Sequence, residues 1–74
     1  MYENIISERI LKLRMEKGVS ARGMSLALGQ SPNYIYNLEN RLALPSMTVF
    51  FSICDYFQMT PKEFFNVNFS QLVN

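Results

Sequence analysis

The sequence predicts a small all-α fold of five helices. Three observations carry that reading. Capping residues stand at the heads of segments whose apolar residues repeat every three or four positions. Proline follows Ser31 and Thr60 at two of those heads, where a missing N–H costs nothing. Strand signals are lacking, since no Asn-Gly or Asp-Gly hairpin turn and no sustained alternation of apolar and polar residues occurs.

Each element follows from local chemistry. Helix 1 is expected from about Ile5 to Lys17, with Asn4 as its cap. Ile6, Ile10 and Leu13 form its stripe, and Lys12, Arg14 and Lys17 suit the negative end of its dipole. Gly18 then offers the positive φ on which helices end. Helix 2 is expected from about Ala21 to Leu28, capped by Ser20, with Met24 and Leu28 apolar and Gly29 beyond its end. Gly23 inside it is a weakness of about 1 kcal/mol relative to Ala. Helix 3 opens with Ser31 as cap and Pro32 in first position, and ends near Asn40. Ile35 and Leu38 mark its buried side. Helix 4 follows Pro45 with Ser46 as cap and carries Phe50, Ile53, Cys54 and Phe57 on one stripe. Helix 5 opens with Thr60-Pro61-Lys62-Glu63, a capping box with Pro at N1, and turns Phe64 and Phe65 at least partly inward.

Size and composition bound the rest. A chain of 74 residues forms one domain. A domain of this size buries only about 60% of the surface of its unfolded chain, so it needs a dense core. Hydrophobic residues make up 49% of the sequence, with six Phe and five Met, and supply one. The single cysteine, Cys54, reads as core. It cannot close an internal disulfide, which suits a reducing, cytoplasmic setting. With no histidine as well, the chain offers neither a zinc ligand set nor a Ser/His or Cys/His catalytic pair. The carboxylates that could pair, Glu3 with Glu8 or Asp55 with Glu63, stand in no catalytic motif. No targeting segment is visible. The longest apolar stretch, Met47 to Phe57, falls short of the roughly 20 residues of a membrane span and is broken by Thr48, Ser52 and Asp55. No cofactor and no small-molecule ligand are implied.

A formal net charge of +1 does not by itself point to nucleic acid, so any DNA-binding charge must be local. The helix 2–helix 3 pair points there instead. Two short helices separated by a turn of three residues form a helix-turn-helix. Ser25 is small where the two should cross. Met24, Leu28, Ile35 and Leu38 would lock the pair to the core and leave the outer face of helix 3 free for a major groove. Asn33 and Asn37 are four residues apart on that face, and asparagine hydrogen-bonds adenine twice. Tyr36 adds a ring for a thymine methyl or a hydroxyl for phosphate. The helix starts at Ser20 to Arg22 and at Ser31 to Asn33 are candidates for phosphate oxygens. Arg22 and Arg41 are candidate phosphate partners or simply solvated charges.

These residues resemble the phage-repressor family of helix-turn-helix domains, which includes Cro and lambda-repressor-like proteins. The resemblance runs from about Ile6 to Phe65. It rests on Arg9-Ile10, Leu13-Arg14, Gly18-Val19-Ser20, Met24-Ser25, and Leu28-Gly29-Gln30-Ser31. It continues through Tyr34-Ile35, Leu38-Glu39-Asn40, Pro45-Ser46, Phe50, Ile53, Phe57 and Thr60 to Phe65. It implies a five-helix fold over residues 1–66 with helix 3 as recognition helix, in a bacterial or phage-encoded transcriptional regulator, a repressor, that binds double-stranded DNA. By position, Pro32, Asn33 and Asn37 match base-reading sites, and Ser20, Tyr34 and Asn40 match phosphate sites. It also implies a structural ion pair of Arg14 with Glu39. The chain departs from the family at several positions. Arg41 stands where Gly is frequent, and Leu42, Ala43 and Leu44 where basic residues are frequent. Ala21 replaces a phosphate-binding Gln, and Met24-Ser25 replaces Leu-Ala. Loss of two phosphate contacts would remove about 1.8 from the salt slope of binding.

Val49, Phe51, Tyr56, Phe69, Leu72 and Val73 exceed the needs of one small core. They imply either a tail, residues 67–74, folded back over the core or a homodimer interface. The competing function is a protein-interaction module on the same fold, such as an antitoxin or docking domain, which the low net charge and the apolar residues after Arg41 favour.

Overall fold

The computed structural model describes residues 2–66 of the chain. Five helices run through them: α1 (Tyr2–Lys17), α2 (Ala21–Ala27), α3 (Tyr34–Glu39), α4 (Met47–Tyr56) and α5 (Pro61–Phe64). No strand occurs among the described residues. The expected all-α fold of five helices is therefore present, with α2 and α3 as the short central pair. The tail expected at residues 67–74 lies outside the described residues.

The helix ends follow the local rules. Ser20, Ser46 and Thr60 each accept a hydrogen bond from the N–H three residues on, at Gly23, Val49 and Glu63. The capping box is complete, because the Glu63 carboxylate in turn accepts from the Thr60 N–H at 2.9 Å. Four helices close on a residue in the left-handed region. Gly18 (φ 75) and Gly29 (φ 72) take that conformation freely, whereas Arg41 (φ 62) and Gln58 (φ 56) take it against the crowding of their Cβ. Each reversal is sealed by a backbone bond six residues long, such as Leu42 N–H to Asn37 O at 2.9 Å. Gly23 also has a local reason: a Cβ there would sit 2.9 Å from the capping hydroxyl oxygen of Ser20.

Two helix starts differ from expectation. α1 begins at Tyr2, not near Ile5, so Asn4 lies inside the helix and its carbonyl accepts from Ser7 Oγ at 3.1 Å. α3 begins at Tyr34, not at Pro32. The Tyr34 N–H turns back to the Ser31 carbonyl at 3.0 Å, which closes a tight turn over Ser31–Tyr34 before the helix starts. Asn33, not Ser31, is the N-cap, and its side chain makes no capping bond.

The core draws on every helix. Ile10 and Leu13 of α1, Met24 of α2, and Ile35 and Leu38 of α3 meet Phe50, Ile53 and Cys54 of α4 and Phe64 of α5. Burying a side chain of this kind contributes about 1.5–3 kcal/mol each. The aromatic end of this core is ordered by ring geometry, with Phe50 and Phe64 edge to face at 5.2 Å. Phe65 is 41% exposed yet lays its ring 5.4 Å from that of Phe50. Burial raises the Cys54 thiol above its ordinary value, and the Asp55 charge raises it further, so it stays a protonated core group.

α1 acts as the spine, holding two other elements through arginines. Arg9 donates to the carbonyls of Phe64 at 2.7 Å and Glu63 at 3.1 Å, which seals the end of α5 with a cation where the dipole favours one. Arg14 donates to Val19 O at 3.0 Å and reaches across to α3. Lys17 sits 5.0 Å over the ring of Tyr56 on α4.

Candidate nucleic-acid interface

The candidate interface is built around α3. Ile35 and Leu38 are fully buried and anchor the helix from behind. Its far end is held by Glu39, whose carboxylate accepts from Arg14 Nε at 2.7 Å and Nη2 at 3.0 Å. Those side chains are only 15% and 10% exposed, so this forked pair is screened little by water. An exposed pair would contribute roughly 0–1 kcal/mol. Here the loss of one partner would also strand the other charge. The bond to Glu39 raises the Arg14 guanidinium above its ordinary value.

The near end of α3 is held differently. Ser25 of α2 is fully buried, donates its hydroxyl to Ala21 O at 2.7 Å, and accepts the Ile35 N–H at 2.9 Å. The small residue at the helix crossing is thus also a hydrogen-bonding group. Together Ser25 and Arg14 fix both ends of α3.

Ser31, Pro32, Asn33 and Tyr36 are exposed, and Asn37 is half-buried. The Asn37 N–H donates to Asn33 O at 3.0 Å, so the two asparagines lie one turn apart, as a shared face requires. Pro32 and Asn33 reach that face from the entering turn and the cap position, not from within the helix. Tyr36 is 57% exposed.

The expected phosphate residues divide. Ser20 and Arg22 are exposed at the head of α2, though the Ser20 hydroxyl oxygen already accepts from Gly23 N–H. Asn40 is exposed and uses its side-chain N–H on Tyr36 O at 2.8 Å, which closes the end of α3. Tyr34 is half-buried against the core, and burial raises its phenol above the ordinary value. Arg41 bends back toward α1, 3.4 Å from Ser7 Oγ and 3.5 Å from Glu8 Oε1, with both ion-pair side chains more than half exposed. That pair is weak enough for water or a phosphate to displace.

Sequence reasoning did not reach the hydrogen bonds of Ser25 or Arg9. For Ser25 the available signal was a hydroxyl at a position where the family has alanine. Among the described residues no group of three or more His, Cys, Asp or Glu could hold a metal ion, and no helix is long and apolar enough to cross a membrane.

Two short helices, joined by a tight turn, locked together by buried contacts and with polar side chains facing out from the second, define a helix-turn-helix protein. A family model described as helix-turn-helix matches residues 10–64, most of the chain. The chain belongs to that family, of the phage-repressor-like kind its motifs resemble. The family is one of DNA-binding transcription regulators. Comparison with curated proteins and with solved structures gave no match.

Proposed function

We propose that this chain binds double-stranded DNA sequence-specifically, with α3 in the major groove, and acts as a transcriptional repressor. The carrying observation is the arrangement of α3: braced at both ends by Ser25 and by Arg14–Glu39, anchored by Ile35 and Leu38, and open at Pro32, Asn33 and Tyr36. Asn33 and Asn37 read base edges, Tyr36 lies against a thymine methyl or a phosphate, and Pro32 sets the approach of the entering turn. Ser20, Arg22, Ser31, Asn40 and Arg41 hold the backbone on either side, with the hydroxyl of Tyr34 at the rim. Few of these groups are charged, so the phosphate contribution is small and the base contacts carry a large share of the discrimination.

The assembly we propose is a homodimer, which places two copies of α3 on successive major-groove faces about 34–36 Å apart. Met47 (65% exposed) and Phe51 (49%) lie one turn apart on α4, and Phe65 (41%) stands beside Phe50, so one side of the molecule is unusually apolar.

A fluorescence-anisotropy titration against random duplex at low and moderate salt tests the reading. DNA binding requires a clear loss of affinity as salt rises, with a slope of about −0.9 for each phosphate neutralised. An absence of binding at low salt would favour the interaction-module reading, which Leu42 (71% exposed) and Leu44 (50%) support by standing where basic residues are frequent in the family.

A further inference from the structure

We propose that Ser25 caps the recognition helix from across the helix pair and thereby leaves the side chain of Asn33 free for DNA. The inference rests on the reading of α3 as the base-reading helix and adds a positioning residue to it.

Three other helix starts in the molecule share one geometry. Ser20, Ser46 and Thr60 have extended backbones, with ψ of 155, 163 and 161, and turn their own oxygens onto the helix. Asn33 does not: its ψ is 6 and its side chain caps nothing. Asparagine is among the best N-cap residues, so its idleness has to have a cause. The cause is on the facing helix. An N-cap side chain serves the N–H of the second or third helical residue. The second helical residue of α3 is Ile35, and its buried N–H already donates to Ser25 Oγ at 2.9 Å. Ser25 can hold that position because it is fully buried and its own proton is anchored on Ala21 O at 2.7 Å. The cap has moved from the entering turn to the neighbouring helix, and the exposed side chain of Asn33 is left without a capping bond.

A definite consequence follows for Ser25→Ala. The Ile35 N–H loses its acceptor inside the fold, and Asn33, the nearest good cap, turns back to supply one. The protein then loses what Asn33 does on DNA without losing its general hold on the backbone. Ser25 is thus a positioning residue whose effect on specificity runs through Asn33.

The test uses a duplex selected from a random pool by the wild-type protein, and a scrambled duplex of the same composition. Ser25→Ala is expected to lower the ratio of selected to scrambled affinity about tenfold, as a lost asparagine–base pair would. Asn33→Ala should lower it similarly, and the double variant no further than either single one. An unchanged ratio in Ser25→Ala, or fully additive losses, overturns the proposal. Amide hydrogen exchange of Ile35 in the free protein judges the cap apart from DNA. Asn33→Ala alone should leave that exchange unchanged, Ser25→Ala should speed it, and the double variant should speed it further. Equal acceleration by either single variant overturns the inference even if DNA is bound. Should Ser25→Ala not fold, Ser25→Cys, with its weak acceptor, replaces it in both measurements. A wild-type protein that selects no sequence removes the base-reading of α3, while the exchange measurement still decides the cap.

Discussion

Arg41 shows how much one residue can conceal. It carries a Cβ at φ 62, where the backbone needs glycine-like freedom to leave α3. Its side chain repays little of that strain, since its contacts to Ser7 and Glu8 lie at 3.4 and 3.5 Å on an exposed surface. Arg41→Gly is therefore expected to stabilise the protein by about 0.5–1 kcal/mol in urea unfolding, strain relief outweighing the added entropy of the unfolded chain. A loss of stability would mean that the Arg41 contacts outweigh the strain. Residue chemistry of this short range was legible in the sequence wherever donor and acceptor are near neighbours. Ser20, Ser46 and Thr60 were readable as caps for that reason. The sequence marks Ser31 as a cap, yet the Tyr34 N–H it would serve turns to the Ser31 carbonyl instead, and α3 starts later, where the Ile35 N–H is held by Ser25 from ten residues away along the chain. Nothing in the local pattern of helix 3 reports a partner held on helix 2.

At the scale of elements, the same contrast holds between helix interiors and helix ends. The stripes that mark α3 and α4 were legible, since Ile35, Leu38, Phe50, Ile53 and Cys54 all face the core. Helix 1 was harder, because Leu11 (42%) and Met15 (66%) are exposed apolar residues that blur its stripe, and its first turn reaches back to Tyr2. The tie between α1 and α5 was not legible, because Arg9 meets Phe64 O across 55 positions of chain. α5 is only four residues long and depends on its two ends. At its start, the backbone N–H and hydroxyl of Thr60 hold the Glu63 carboxylate below its ordinary range. A carboxylate with a lowered folded value contributes stability above its unfolded value and loses it as pH falls through the folded one. Thermal unfolding of the wild type should therefore fall more steeply with acid than that of Glu63→Gln, the two curves converging once the carboxylate is protonated. Parallel curves would show that the capping box adds nothing through its charge.

Across the whole molecule, fold and family were legible because the order of motifs is global information: helix starts, helix-ending turns and apolar stripes follow one another along most of the chain in the order the family has. The candidate site was legible only in part. Residue type placed Asn33, Tyr36 and Asn37 on the outside of helix 3, but it does not report that Asn37 is half-buried, that Tyr34 packs against the core or that Arg41 turns toward Glu8, because each depends on a neighbour distant in sequence. The apolar side of α4 belongs to this scale as well. If it is the homodimer interface we propose, sedimentation should give a dimer, and Phe51→Lys should shift it to monomer while leaving the helical circular-dichroism signal intact. A wild-type monomer at every concentration would exclude that interface.

Everything functional depends on α3 being the surface that meets DNA. Backbone amide shifts recorded while a short random duplex is added at low salt test this most directly. The account predicts the largest changes at Asn33, Tyr36 and Asn37, with a second group at Ser20 to Arg22. Changes confined to Leu42 through Phe51, with the amides of α3 unmoved, would contradict it.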